Sequence, residues 1–221
     1  MPAAISSTTT KSDERRAARR EAIIEAAARL FANLGYDSCE MDRVASKLRI
    51  AKGTLYLYFD SKEKLFYACV DDGIHRMQTT VRAAADTQAD PLDKIAAAVR
   101  TYLKFFDEHR HYVELLIQER AIFRDRKRPS YFEHRDANRG PWRSMYSELV
   151  AARRVRDDLA VESILDTLGN LLYGTMFTNY FLGSTASTCD QFHAIMEIVM
   201  GGILTKREYA DWRQKKKPAS R

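Results

Sequence analysis

Lys52, Gly53, Thr54, Tyr56, Tyr58 and Lys62 crowd into residues 52–62. Their side chains suit one kind of chemistry, contact with a polyanion that also presents readable edges. Lys52 offers a charged donor, and Thr54 a hydroxyl and a methyl group, the kinds of group that meet base edges in a major groove. Gly53 removes a side chain, so the backbone can approach closely. Tyr56 and Tyr58 can send hydroxyls to phosphates, and Lys62 adds a point charge to the flanking backbone. Arg49, just ahead of the stretch, can reach a phosphate too. With Leu57 these residues make the candidate DNA-contacting set.

Patterns for other chemistry are missing. The chain has no Gly-rich phosphate loop, no H-E-x-x-H and no nucleophile elbow. His109 and His111 are two residues apart, which on a helix points them to different sides. Cys39, Cys69 and Cys189 are widely scattered and suit a reducing compartment. No catalytic residues, metal ligands or cofactor site are therefore expected, and an enzyme is not the favoured reading.

The elements that must position the polar cluster are helices. Ile23, Ala27, Leu30, Phe31 and Leu34 form one apolar stripe, and Gly35 ends it. Met41, Val44, Ala45 and Leu48 mark a short second helix. Only Arg49 to Ala51 separate it from a third, Lys52 to Phe59, whose Leu55 and Phe59 face inward. Ser61 caps a long helix that runs to about Asp86, and Thr87 to Pro91 breaks it. Further helical patterns cover Pro91 to Asp107, His109 to Arg124 and Ser130 to Arg153, the last interrupted at Gly140-Pro141. Val161 to Leu182 and Phe192 to Leu204 are the most apolar. No alternating strand pattern occurs, so the fold class is all-α: a small three-helix unit followed by a larger helical bundle.

Composition agrees with a folded protein. In 221 residues, 45% are hydrophobic and 30% charged, which excludes a wholly disordered chain. No apolar run is long enough to span a membrane, and Met1 to Lys11 lacks the apolar segment of a secretory signal. The net charge of +6 is uneven: residues 1–62 carry +3, residues 63–205 carry −2 and residues 206–221 carry +5. The organisation read from these patterns is an arm at 1–13, a helix-turn-helix domain at 14–62, a helical domain at 63–205 and a basic tail at 206–221.

Two helices joined by a tight turn, the second rich in Lys, Thr and Tyr, can also be an ordinary hairpin with a solvated face. The wording decides between them. Ala22-Ile23-Ile24-Glu25-Ala26-Ala27, Leu30-Phe31, Gly35-Tyr36, Met41-Asp42-Arg43-Val44-Ala45 and the unbroken run from Ala51 to Phe66 closely resemble the DNA-binding domain of the TetR family of bacterial repressors. The likeness covers about residues 17–68. Some positions depart from it. Cys39 and Glu40 stand where the family usually has a Thr or Ser cap, Arg49 where its turn has Gly, and Ala51 where Ser is frequent.

The resemblance implies a homodimer of about nine helices per chain. It further implies a one-component transcriptional regulator of the bacterial cytoplasm, at the nucleoid: a repressor that releases a pseudo-palindromic operator when a small molecule binds, with double-stranded operator DNA and a small-molecule effector as its partners. The C-terminal bundle would bind the effector and dimerise. The sequence suggests residues for both tasks. Leu168, Leu172 and Met176, with Ile195, Val199, Met200 and Ile203, could form a four-helix seam across a two-fold axis. Tyr102, Phe106, Tyr112, Phe123, Trp142, Tyr146, Tyr173 and Phe177 make the bundle aromatic, as core or as ligand pocket. Glu119 shares a face with Leu115, Leu116, Ile122 and Phe123. A carboxylate there needs a partner, for which Arg135 and Asn138 are candidates, or it serves as a ligand's polar anchor. Other classes consistent with the residues are a helical protein-interaction adapter and an architectural DNA binder without ligand.

Overall fold

In the computed structural model, residues 11–183 and 187–216 are described. They form eleven helices: α1 (Lys11–Leu34), α2 (Met41–Lys47), α3 (Lys52–Tyr56), α4 (Lys62–Asp86), α5 (Pro91–Glu108), α6 (Arg110–Ile122), α7 (Ser130–Ala137), α8 (Gly140–Ala151), α9 (Val161–Leu182), α10 (Thr188–Ile203) and α11 (Lys206–Lys216). The all-α reading holds. The helix count exceeds nine because Gly140-Pro141 splits one expected helix into two and the last segment folds. Of the expected arm, residues 1–10 lie outside the described residues and residues 11–13 open α1. Of the expected tail, Lys206–Lys216 is α11, with Trp212 buried, and residues 217–221 lie outside.

Local chemistry sets the helix ends. Gly35 terminates α1 at φ 80°, a region open to glycine, and its N–H donates to the Phe31 carbonyl at 2.9 Å. Ser61 Oγ accepts from Lys64 N at the start of α4. Asp90 accepts from Leu92 N ahead of Pro91, and Ser187 from Asp190 N, capping α5 and α10.

The described chain packs as two units. The first comprises residues through Gly73 together with Glu114–Lys127, and the second comprises Ile74–Val113 and residues from Arg128 onward. α4 is continuous from one unit into the other. The core of the first unit is aromatic. Phe31 meets Phe66 edge-on at 5.3 Å, and Phe123 lies 5.2 Å from Tyr36 and 4.9 Å from Tyr67. Gln118 Nε2 donates to the Phe31 carbonyl at 3.0 Å and so ties α6 to the C-terminal end of α1. In the second unit α5 packs against α9 and α10, burying Ile95, Val99, Tyr102 and Phe106 with Met176, Phe192 and Met196. Arg154 joins the start of α5 to α11 through Asp90 at 2.9 Å and Glu208 at 2.7 Å.

Candidate functional site

α2 and α3 pack against each other, with Met41, Val44, Ala45 and Leu55 buried. Neither has a side-chain cap: Glu40 and Ala51 sit at the N-cap positions without a hydrogen bond to the helix. No side chain therefore takes the place of the missing Thr or Ser. Arg49 turns the chain between the two helices at φ 54°. That left-handed backbone costs a side-chain-bearing residue about 1–2 kcal/mol, the penalty glycine avoids. α3 is shorter than the sequence pattern suggests: it ends at Tyr56, and Tyr58 N and Phe59 N then share the Leu55 carbonyl in a closing turn.

This turn presents the outer face of α3 to solvent. Tyr56 is 42% and Leu57 75% exposed, Tyr58 is half-buried, and a Cβ added at Gly53 would meet nothing within 4 Å. Lys52 is exposed but not idle: its Nζ lies 3.0 Å from an Asp42 carboxylate oxygen. That hydrogen bond, and the charge of Asp42, raise the Lys52 pKa. Lys62 folds back, donating to the Asp37 carbonyl at 3.0 Å with its ammonium 4.7 Å from the centre of the Tyr36 ring. Arg49, Lys52, Gly53, Thr54, Tyr56, Leu57, Tyr58 and Lys62 thus share one unit, on or beside one short helix. Sequence reasoning did not show that Lys52 and Lys62 already hold protein partners, since spacing shows neither the α2 carboxylate nor the Asp37 carbonyl.

The second unit holds a cavity, open to solvent on one side, of about 470 Å³, within the range of small-molecule sites. Its walls come from α4 (Ile74, Met77, Gln78, Val81), α5 (Ile95, Val99, Tyr102), α7 (Tyr131, Arg135), α8 (Trp142, Tyr146) and α9 (Leu165, Leu168, Leu172), with Asn138 and Arg139 between α7 and α8. The Tyr102 and Tyr131 hydroxyls bond each other at 2.8 Å. Burial pushes the Tyr131 phenol up to about 12 and raises Tyr102 and Tyr146 as well, so all three are neutral. The Tyr146 hydroxyl is buried with no hydrogen-bond partner among the described residues.

The candidate pocket residues divide. Tyr102, Trp142 and Tyr146 line this cavity. Phe106 lines a small neighbouring crevice, while Tyr112, Tyr173 and Phe177 border neither. Phe123 and Glu119 belong to the other unit. Glu119, 2% exposed, pairs with Arg126 at 3.0 Å, and Arg126 stacks over Tyr67 at 4.7 Å. The expected Glu119–Arg135 pair does not form. Arg135 instead donates to Asn170 and lies 3.4 Å from Asp136. A helical stripe names a face but not what covers it, and Arg126, in the loop after α6, was invisible to periodicity.

The candidate dimer residues divide as well. Met176, Ile195, Met200 and Ile203 are buried within the chain, Leu168 and Leu172 line the cavity, and Val199 is half-buried. The large apolar residues left outside are Leu171, Phe181 and Leu182 on α9 and Ile198 on α10, the last 72% exposed. The sequence places Leu171 in the seam with its neighbours but gives no sign of Phe181, Leu182 and Ile198, which fall outside that stripe.

Residues 23–69 match the model of the bacterial regulatory proteins of the tetR family. The match covers about a fifth of the chain, the segment that carries α2 and α3, and the relatives below are transcriptional regulators. The HTH-type transcriptional activator FasR of Mycolicibacterium smegmatis is 28% identical over 100 residues, 45% of this chain and 46% of that protein. The chain thus matches less than half the length of FasR. The HTH-type transcriptional repressor KstR2 of the same species is 26% identical over 187 residues, 84% of this chain and 90% of that one. The solved structure of the regulator FadR from Bacillus subtilis in complex with stearoyl-CoA shares the fold at a TM-score of 0.70 and 16% identity, covering 83% of this chain and 98% of that one. Among the described residues, no helix is long and apolar enough to cross a membrane, and no group of His, Cys, Asp and Glu could hold a metal ion.

Proposed function

We propose that the protein is a homodimeric, ligand-responsive repressor. In this reading it holds a pseudo-palindromic operator through α3 and releases it when a small molecule fills the cavity. The observation that carries the reading is the course of α4. Its first turns, with Leu65 and Phe66 buried, belong to the unit that presents α3, and its last turns, from Ile74 to Val81, wall the cavity. A ligand that fits one position of that wall better than another shifts the population of α4 positions, and the shift reaches the DNA-reading unit along one continuous helix. The coupling is reciprocal, so operator DNA must weaken ligand binding by the same factor.

Two recognition helices held by one rigid dimer are needed to read two half-sites. The face proposed for dimerisation is the outer side of α9 and α10, around Leu171, Phe181 and Ile198, where Gly174 and Gly202 have open space beside them. The effector is an apolar molecule. The aromatic and aliphatic walls support this, as does FadR, whose structure holds stearoyl-CoA.

The test is native mass spectrometry of the protein purified without denaturation, followed by identification of any co-purifying compound. That compound, added back, should release the protein from DNA taken from upstream of its own coding sequence. A compound that occupies the protein and leaves DNA affinity unchanged would rule out the effector role.

A further inference from the structure

Of the polar groups around the cavity, His75, Thr79, Arg82 and Asp86 of α4 are exposed to solvent, and the two arginines of the α7–α8 side are paired. Arg139 meets Asp166 at 2.9 Å and Glu162 at 3.2 Å, and Arg135 meets Asn170 and Asp136. The hydroxyls of Tyr102 and Tyr131 share one hydrogen bond, that of Tyr102 also lies 3.8 Å from Met176 Sδ, and that of Tyr146 is sealed off from solvent. One pair is different. Gln78 of α4 and Asn138, at the end of α7, both line the cavity and are hydrogen-bonded together: Asn138 Nδ2 donates to Gln78 Oε1 at 3.0 Å. Both amide nitrogens also donate to the His134 carbonyl, Gln78 Nε2 at 3.1 Å and Asn138 Nδ2 at 3.0 Å.

That carbonyl can only accept, so it forces the orientation of both amides. The remaining capacity follows directly. Asn138 Nδ2 has used both its hydrogens. Asn138 Oδ1 makes no hydrogen bond among the described residues, and Gln78 Nε2 keeps one N–H. One acceptor and one donor therefore remain on two bonded amides that both line the cavity. This is the complement of a hydroxyl, or of a carboxamide, which each give and take one hydrogen bond. An apolar molecule without such a group leaves both amide atoms unpaired and dry, a loss that binding must absorb.

We propose that Gln78 and Asn138 form the polar recognition point of the cavity, and that its ligand is an apolar, ring-bearing or chain molecule carrying a hydroxyl or carboxamide. The inference rests on the cavity being a ligand site. A ligand held here is bonded to α4 and to the α7–α8 junction at once, so its polar group bears directly on the helix that continues into the DNA-reading unit.

The test uses 2-naphthol and naphthalene, which share their rings and differ by one hydroxyl, titrated calorimetrically into the full-length protein. The hydroxyl compound should bind about tenfold tighter, the worth of one well-made hydrogen bond in such a site. Gln78→Leu and Asn138→Leu should each erase that preference and leave naphthalene binding in place. The wild-type protein gives a second readout that does not depend on the variants folding. The side-chain amide resonances of Gln78 and Asn138 should shift with 2-naphthol and stay put with naphthalene. Equal affinities in the wild type, or a preference that survives both substitutions, would overturn the recognition point while leaving the cavity a ligand site. If neither compound binds, the cavity reading falls and takes this inference with it.

Discussion

Lys52 Nζ lies 3.0 Å from Asp42 Oδ1, so the first residue of α3 is tied to the first turn of α2. Both side chains are exposed, and an exposed pair contributes little to stability. Its effect falls on DNA binding, because Lys52 must give up a carboxylate to reach a base edge. Asp42→Ala should tighten binding to every DNA sequence and leave the melting temperature nearly unchanged. Lys52→Ala should cost about 1–3 kcal/mol of discrimination between operator and non-operator DNA. Fluorescence anisotropy with operator and scrambled duplexes measures both. Weaker binding by Asp42→Ala would mean that the carboxylate positions Lys52 and does not compete for it.

Lys62 plays a structural part that its place in the motif does not announce. Its ammonium bonds the Asp37 carbonyl and sits over the Tyr36 ring, and its side chain is only 21% exposed. Lys62→Ala should therefore cost about 1–3 kcal/mol in urea denaturation, the range for a hydrogen bond to a charged group. A loss of DNA affinity that is equal for all sequences, with no loss of stability, would assign it to phosphate contact alone.

Tyr146 carries a buried hydroxyl without a partner among the described residues, so Tyr146→Phe removes a desolvation cost and keeps the ring. The variant should be as stable as the parent, or more stable by up to about 1 kcal/mol. Tyr131→Phe makes the contrast, since it takes the hydroxyl partner from Tyr102 and should destabilise by about 1 kcal/mol. Thermal denaturation of the two variants side by side checks the pair. A marked loss in Tyr146→Phe would show that the hydroxyl is bonded in solution.

The outer face of α9 and α10 gives a sharp contrast between exposed and buried positions. Ile198 is 72% exposed in the single chain, and Met200, two residues on, is fully buried. Ile198→Glu should yield a folded monomer by sedimentation and circular dichroism, while Met200→Glu should fail to fold. A dimer that survives Ile198→Glu would place the two-fold axis elsewhere.

The helices were legible because each carries its own stripe and stop signal: Gly35 ended α1 where expected, and Pro91 and Ser61 opened helices as read. The left-handed turn at Arg49 was signalled only by the resemblance, in which that turn carries Gly. The site was legible where the motif is contiguous and obscure where it is assembled from distant segments. Tyr102, Trp142 and Tyr146 line the cavity, but nothing in their spacing tells them apart from Tyr112 and Phe177, which do not. Glu119 was noticed as a carboxylate on an apolar face, yet its partner Arg126 sits in a loop without period. Gln78 and Asn138 drew little notice as a pair, because 60 residues separate two ordinary amides whose meeting depends on α4 packing beside the α7–α8 junction.

The central claim is that α3 reads a DNA sequence, and the most direct test is titration of the full chain against duplexes tiled across the DNA upstream of its coding sequence, with a salt series. One pseudo-palindromic segment should bind at least about a thousandfold tighter than scrambled DNA at physiological salt. Replacing Thr54 or Lys52 should erase most of that margin, and raising the salt should weaken all binding steeply through the phosphate contacts. Equal affinity for every duplex, or no binding at low salt, would contradict the account.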